Sequence, residues 1–153
     1  MGTDWKENLK NFFEEIGILE ESRRETIEDF DQFCEFVAEP AFENLSEEIT
    51  QYGVKTRIKK SKGTSISFLM DFTNSALDSI EYTIVLPESS VELRLKLTVR
   101  GKKVRKDAVE EKQRVFMEGV TPAGLLKLSK EEIIQDIIEN CRNFGFKALA
   151  GSE

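Results

Sequence analysis

The residues between Val54 and Arg100 alternate apolar and polar side chains in four consecutive runs, and this pattern constrains the fold more than any other feature. The clearest run extends from Val91 to Val99, where every odd-numbered residue is apolar and every even-numbered residue is polar. Alternation with a period of two is typical of a β-strand that buries one face and exposes the other. Turn-forming segments separate the runs, so the sequence predicts an antiparallel meander of four strands.

The first 21 residues carry apolar side chains at helical spacing up to Gly17, which is expected to end a first helix. These side chains are Trp5, Leu9, Phe12, Phe13 and Ile16. Packing of this helix on the core is the simpler arrangement. The alternative is that residues 1–21 form an appended arm that reaches a partner.

A second, longer helix is predicted from 22 to 52, because its apolar residues form one continuous stripe. Ser22 and Glu25 have the spacing of a capping box, in which the two side chains satisfy unpaired backbone amides of the first turn. Pro40 interrupts the stripe without shifting its phase. The sequence therefore predicts one kinked helix, with two separate helices as the alternative.

The segment from 102 to 120 shows no clear periodicity. A helix from Asp107 to Met117 is expected there from the content of Ala, Glu, Lys and Gln, and a fifth strand over Gln113 to Met117 is the rival interpretation. The residues Ser129 to Glu132 form a capping box before an apolar run, which predicts a last helix over 130–144.

Helices before and after a meander favour a single α+β domain over 1–153. In the predicted architecture, a four-stranded antiparallel β-meander is covered on one face by the N-terminal and C-terminal helices. The tail over 146–153 is expected to be frayed.

The composition excludes several kinds of active site. The chain has no histidine, so Ser-His and Cys-His nucleophile pairs and histidine-bearing zinc sites are excluded. No phosphate-binding loop, dinucleotide fingerprint or EF-hand is present. Cys34 and Cys141 fall on apolar helix faces, so both are expected to be reduced core residues. We therefore expect a protein that is not an enzyme and needs no cofactor or metal; a small enzyme that uses carboxylates remains an alternative.

The charge of the chain is segregated, although its net value is −7. Residues 1–53 carry 15 acidic and 4 basic side chains, whereas residues 54–106 carry 5 acidic and 12 basic ones. On the polar faces of the first and fourth predicted strands, six cations form a candidate site for an anionic partner. They are Lys55, Arg57, Lys59, Arg94, Lys96 and Arg100.

Three interpretations of this basic face remain open. Lysines on an edge strand prevent aggregation between sheets. Alternatively, the face binds an acidic protein or nucleic acid, or it meets the acidic helices of a second subunit. The outward positions of the middle strands carry no aromatic residue, which argues against base stacking.

The most favoured function is a non-catalytic protein-interaction or adaptor domain. Self-association as a homodimer is expected, because the apolar residues of the first helix need a partner surface. Neither a membrane span nor a signal peptide is recognisable, so a cytoplasmic location without membrane contact is predicted.

Overall fold

In the computed structural model, which describes residues 4–72, 77–103 and 109–149, five antiparallel strands form one open sheet whose spatial order follows the chain. The strands are β1 (Val54–Ser61), β2 (Ser65–Phe72), β3 (Leu77–Val85), β4 (Lys96–Lys103) and β5 (Val109–Val115). The alternation of side chains places one face of this sheet under the helices and leaves the other face outside.

The predicted α+β class and antiparallel pairing are confirmed, but the predicted count of four strands is wrong. β5 lies where we expected a helix over 107–117, so the rival interpretation of a fifth strand has the right type of element but begins too late, at 113. Residues 104–108 are outside the described part of the chain. The helix-facing side of β5 carries Lys112 and Arg114. Lys112 lies over the ring of Phe144 and Arg114 donates a hydrogen bond to Asp136, both on the last helix. Because these inward positions are charged, the strand lacks the apolar alternation that would have predicted it.

The fourth strand also begins later than its alternating pattern predicts. Leu93 and Leu95 are buried as expected, but the ladder with β3 starts only at the pair Val85–Lys96. Pro87 cannot donate a backbone hydrogen bond, so the chain beyond β3 leaves the ladder there. On the other side, the amide of Phe116 donates to the carbonyl of Leu95 at 2.9 Å and continues the contact with β5.

Two helices and a π-helical turn form one unbroken helical segment before the sheet. They are α1 (Trp5–Phe33), the π-helical turn Cys34–Ala38 and α2 (Glu39–Ile49), followed by a 3₁₀ turn over Thr50–Tyr52. The predicted break at Gly17 and the predicted start at Ser22 are therefore wrong. Asp4 caps α1 by accepting hydrogen bonds from the amides of Lys6 and Glu7.

The π-helical turn ends at Ala38, two residues before Pro40, and explains how the helical segment continues through a proline. The amide of Glu39 donates to the carbonyl of Cys34, five residues earlier instead of four. In a regular α-helix the ring of Pro40 would clash with a backbone carbonyl of the preceding turn. The wider π-helical turn alters the backbone at that point. The apolar stripe therefore keeps its phase across the proline, as the sequence pattern indicates.

α2 packs against the helix-facing side of the sheet near its centre. The ring of Phe42 lies 5.2 Å from that of Phe68 on β2 and 6.2 Å from that of Tyr82 on β3, measured between centroids. All three side chains are fully buried.

The C-terminal part of the chain covers the rest of this face. A short helix, α3 (Pro122–Leu125), precedes α4 (Lys130–Leu149), which packs on β3, β4 and α2. α4 continues past the predicted end at 144 through Leu149, and the remaining residues of the expected tail, 150–153, lie outside the described residues. Within the described ranges, no helix has the length and apolar content that crossing a bilayer requires.

Gly101 lies inside β4, at a point where α4 approaches the backbone of the strand closely. A Cβ atom added at Gly101 would lie 2.5 Å from Cδ1 of the buried Phe144. Gly17 is different, since a Cβ added there meets nothing within 4 Å.

We predict that Gly101→Ala lowers the free energy of unfolding by about 1–3 kcal/mol, because α4 must shift to accommodate the methyl group. The matched control is Gly17→Ala, which introduces the same group in an exposed helix and is expected to raise helical content. Urea unfolding followed by circular dichroism measures both effects. Equal stability of the Gly101→Ala variant and the wild type would contradict the close packing described above.

Candidate functional site

Three of the six candidate cations lie together on β1, an edge strand of the sheet. Lys55, Arg57 and Lys59 alternate along the outer face, and all three are exposed. No ion pair joins them to any residue in the described ranges. Their charges are therefore available to a partner on the outer face.

The other three candidate cations lie in a more acidic setting. Arg100 on β4 donates a hydrogen bond of 2.6 Å to Glu111 of β5, and this bond holds the pKa of Glu111 below its ordinary value. Arg94 precedes β4 and pairs with Glu92. Only Lys96 has no ion pair within the described part of the chain. β5, which the sequence analysis gave only as the rival of a helix, thus supplies a carboxylate that offsets one predicted binding charge.

The structure does not bring the six cations into one cluster. β2 and β3 separate β1 from β4, so the two groups lie about 14 Å apart at a spacing of about 4.8 Å per strand. The outer face between them carries Ser67, which bonds Thr83, together with Leu69 and Glu81. A wide, shallow surface of this kind suits an extended partner better than a small ligand.

A polar network between the sheet and α4 was not foreseen from the sequence. The hydroxyl of Tyr82 donates to Oδ2 of Asp136 at 2.6 Å, and Arg114 donates to Oδ1 of the same carboxylate at 2.8 Å. Asn140 binds the backbone carbonyl of Asp136 at 2.8 Å. The position of Tyr82 on a buried face was the available signal, because a buried phenol needs a hydrogen-bond partner.

This network has the geometry of a structural anchor. Burial, and then the nearby Asp136, raise the pKa of Tyr82 well above its ordinary value, so the phenol stays a donor. Tyr82 and Arg114 each donate to one oxygen of Asp136, so this carboxylate links β3 and β5 to α4. In the described ranges, His, Cys, Asp and Glu residues form no group of three that could hold a metal ion.

The two cysteines lie where the helical pattern predicted them, on the core side of their helices. Cys34 is buried, Cys141 is half-buried, and neither forms a disulfide. Desolvation by burial raises the pKa of each thiol to about 12. A thiol is a nucleophile only as the thiolate, and the raised pKa keeps the thiolate fraction of both residues small at neutral pH.

An apolar cleft with a volume of about 740 Å³ opens beyond the end of β5. Its walls are formed by residues 93–96 and 113–117 and by the turn that leads into α3. Within this turn Met117 and Gly119 have φ angles of 52° and 87°, so the backbone there is left-handed. The charged lining residues are all basic; they are Arg94, Lys96 and Arg114. Two of these three already have carboxylate partners within the protein.

The N-terminal part of α1 carries a row of exposed apolar side chains. We call residues 4–21 the arm; every one of them is exposed except the half-buried Ile16. Its large apolar side chains include Trp5, which is 65% exposed, and Phe13, which is 61% exposed. In contrast, Phe30 and Phe33 on the later turns of α1 are fully buried in the core.

Comparison of the chain with protein-family models, with curated proteins and with solved structures found no match.

We predict that both thiols react slowly with Ellman's reagent in the native protein at pH 8. With a pKa of about 12, the thiolate fraction is on the order of one in ten thousand, and burial restricts access as well. Both thiols should react at once in guanidinium chloride, which serves as the control. Rapid labelling of the native protein would contradict the burial of these cysteines.

Proposed function

We propose that this chain is a non-catalytic protein-interaction domain whose arm is the binding element, and that it self-associates as a homodimer. The observation that carries this proposal is the row of large apolar side chains on the arm, which no other described element covers. Apolar patches of this kind on a folded protein mark interaction surfaces.

The energetics support a role for the arm in association. Each large apolar side chain that passes from water into an interface contributes about 1.5–3 kcal/mol. Leu9 is 48% exposed and Phe12 is 53% exposed, so much of this free energy is available on binding. An isolated helix of this length is only marginally stable in water, and a partner would stabilise it as well.

Within the described residues, the buried thiols and the contacts of Asp136 support a non-catalytic role. Burial raises the pKa of both thiols, and the carboxylate of Asp136 accepts hydrogen bonds from Tyr82 and Arg114. A carboxylate enzyme would need a second acid or base that faces a substrate. The apolar cleft has basic charged lining residues only and offers no such pair.

We predict that Leu9→Ser combined with Phe12→Ser raises the Kd of self-association by about a hundredfold or more. Loss of two apolar side chains from each copy removes several kcal/mol, and about 1.4 kcal/mol corresponds to a tenfold change. Sedimentation equilibrium measures the change. Trp5 is the single tryptophan, so its emission should shift to shorter wavelength as wild-type protein is concentrated.

The matched control for this pair is Asn11→Ser combined with Glu14→Ser, which introduces the same residues on the opposite face of the arm. Among the described residues, this pair of substitutions removes one ion pair, the exposed 4.0 Å contact between Lys10 and Glu14. An exposed ion pair of this kind contributes little to stability. Equal weakening by both pairs of substitutions would show that helix propensity, and not the apolar face, controls association. Wild-type protein that stays monomeric at high micromolar concentration would refute self-association.

The β1 cations support a second candidate function, which is the binding of a polyanion or an acidic protein on the outer face. Lys55, Arg57 and Lys59 point the same way, about 6.7 Å apart along the strand. The absence of described ion pairs at these residues is the observation that favours this candidate.

We predict that reversing the three β1 charges to Glu weakens binding to nucleic acid or polyglutamate and lowers the dependence of log Kd on log salt by about 2–3 units. Reversal of Arg94 and Arg100, which already pair with Glu92 and Glu111, should have a smaller effect. Fluorescence titration at low and physiological salt measures both variants. If neither probe binds the wild type at low salt, the β1 cations only protect the sheet edge.

A further inference from the structure

Five of the seven large apolar residues of the arm follow the spacing of a coiled-coil seam, whereas Phe13 flanks this series and Ile18 lies on another face of the helix. Steps of four and three residues alternate along α1, and the same series continues into the buried part of the helix. The arm members are Trp5, Leu9, Phe12, Ile16 and Leu19, and the later members are Arg23, Thr26, Phe30, Phe33 and Val37. The last four of these are buried against the body of the domain, so the arm extends an established packing face beyond that body.

Alternating steps of four and three residues are typical of a helix that pairs with a second helix. A strict series of four and three residues produces the narrow seam of two paired helices, whereas helices on a sheet usually carry a wider apolar face. A second copy of this chain carries the same seam and is the simplest partner that matches it over its full length.

The charged residues beside the seam distinguish two possible orientations. In a parallel pair, Glu15 of each copy faces Glu20 of the other, which creates two repulsive contacts. In an antiparallel pair that sets Phe12 against Ile16, Lys6 of each copy faces Glu20 of the other. This gives two attractive contacts against a single repulsion, between the two copies of Glu15.

The position of Phe13 agrees with the antiparallel orientation. This residue flanks the seam and is 61% exposed in the single chain. In the antiparallel pair the two Phe13 rings meet at the two-fold axis and bury each other. In the parallel pair each ring would instead lie beside Asn8.

In the antiparallel pair, the tip of each arm would lie against Arg23 of the other copy. Trp5 of the second copy reaches Arg23, whose Nη1 donates to the carbonyls of Pro87 at 3.0 Å and Ser90 at 3.1 Å. A guanidinium held in place beside an indole ring is a favourable cation–π partner. Pro87 also lines the apolar cleft, so the tip of the arm ends next to that cleft.

We propose that two copies of this protein pair through their arms as an antiparallel two-helix coiled coil, with Leu9 against Leu19, Phe12 against Ile16 and Lys6 against Glu20. This inference rests on the proposed function and adds the orientation and register of the partner. The paired segment spans about 27 Å, from residue 5 to residue 23, at about 1.5 Å per residue. Each arm tip contacts the folded body of the other copy.

The test is charge reversal at the flanking positions, measured by sedimentation equilibrium at low ionic strength. Glu20→Lys should raise the dimer Kd by about tenfold, because two attractions become two repulsions between lysines. Lys6→Glu should do the same, and the double variant Lys6→Glu/Glu20→Lys should return to within about twofold of the wild type. Glu14→Lys makes the same charge change on the outward face and should leave the Kd unchanged.

The parallel orientation predicts the opposite sign for Glu20→Lys, since the introduced lysine would then face Glu15 of the other copy and tighten the dimer. Tightening, no change, or failure of the double variant to recover would each overturn the antiparallel pairing. A monomeric wild type would also overturn it.

Cysteine cross-linking gives an independent measure of orientation. A mixture of the Leu9→Cys and Leu19→Cys variants should form mixed disulfide dimers, whereas Leu9→Cys alone should not cross-link, because its copies are far apart in an antiparallel pair. Cross-linking of Leu9→Cys alone would overturn the proposal. Combined with the Leu9→Ser/Phe12→Ser variant, this experiment separates a wrong orientation from a wrong function. If that variant dissociates the dimer but Leu9→Cys links to itself, the arm is the interface and only the orientation is wrong. If that variant remains dimeric, the proposed function itself fails.

Discussion

The burial of one sheet face under α2 and α4 is the interaction on which the rest of this structure depends. Phe42 of α2 contacts Phe68 and Tyr82, which lie on neighbouring strands, so one aromatic cluster joins the helix to the centre of the sheet. Removing a buried aromatic side chain costs about 3–5 kcal/mol, a large part of the stability of a domain this size. The register of the central strands follows, since a slip by one residue would expose this whole face.

Both edge strands of the sheet carry charged side chains, but these side chains face different sides of the sheet. β1 carries its three exposed cations on the outer face, whereas β5 turns Lys112 and Arg114 toward α4. Charged residues on edge strands oppose pairing with another sheet. On β5 they also hold α4 in place, because Arg114 and Tyr82 bind the two oxygens of one carboxylate. The charged residues of β5 therefore both oppose pairing with another sheet and hold α4 against this one.

α1 connects the folded body to the proposed interaction surface through one continuous helix. Its last turns are buried by the core, and its first turns lie in solvent with the same apolar face. The body thereby stabilises a helix that would be only marginally stable alone, because packing of its last turns offsets the unfavourable free energy of helix nucleation. The hydrogen bonds of Arg23 to the Pro87–Ser90 turn hold α1 at the point where the arm leaves the body. This arrangement presents the apolar row in a defined direction.

Local patterns were sufficient where neighbouring residues carry the signal. The alternation in β1 to β3 predicted antiparallel strands, and the series through Phe30 and Val37 predicted a helix that keeps its phase across Pro40. Cys34 and Cys141 were placed correctly on core-facing positions by the same helical periodicity. For the candidate site, alternation placed Lys55, Arg57 and Lys59 on the outer face, whereas the partners of Arg94 and Arg100 were not foreseen.

Other features depend on residues distant in sequence, and only the tertiary structure decides them. β5 exists because β4 supplies a ladder partner and α4 supplies Asp136 and Phe144 to its charged inner side, although its composition favours a helix. Gly17 could have ended a helix, but it does not adopt a left-handed backbone, and α1 continues through it. The sequence by itself determined which residues are apolar at which period. The tertiary structure decided which of those faces the body covers, because burial depends on contacts that no local pattern encodes.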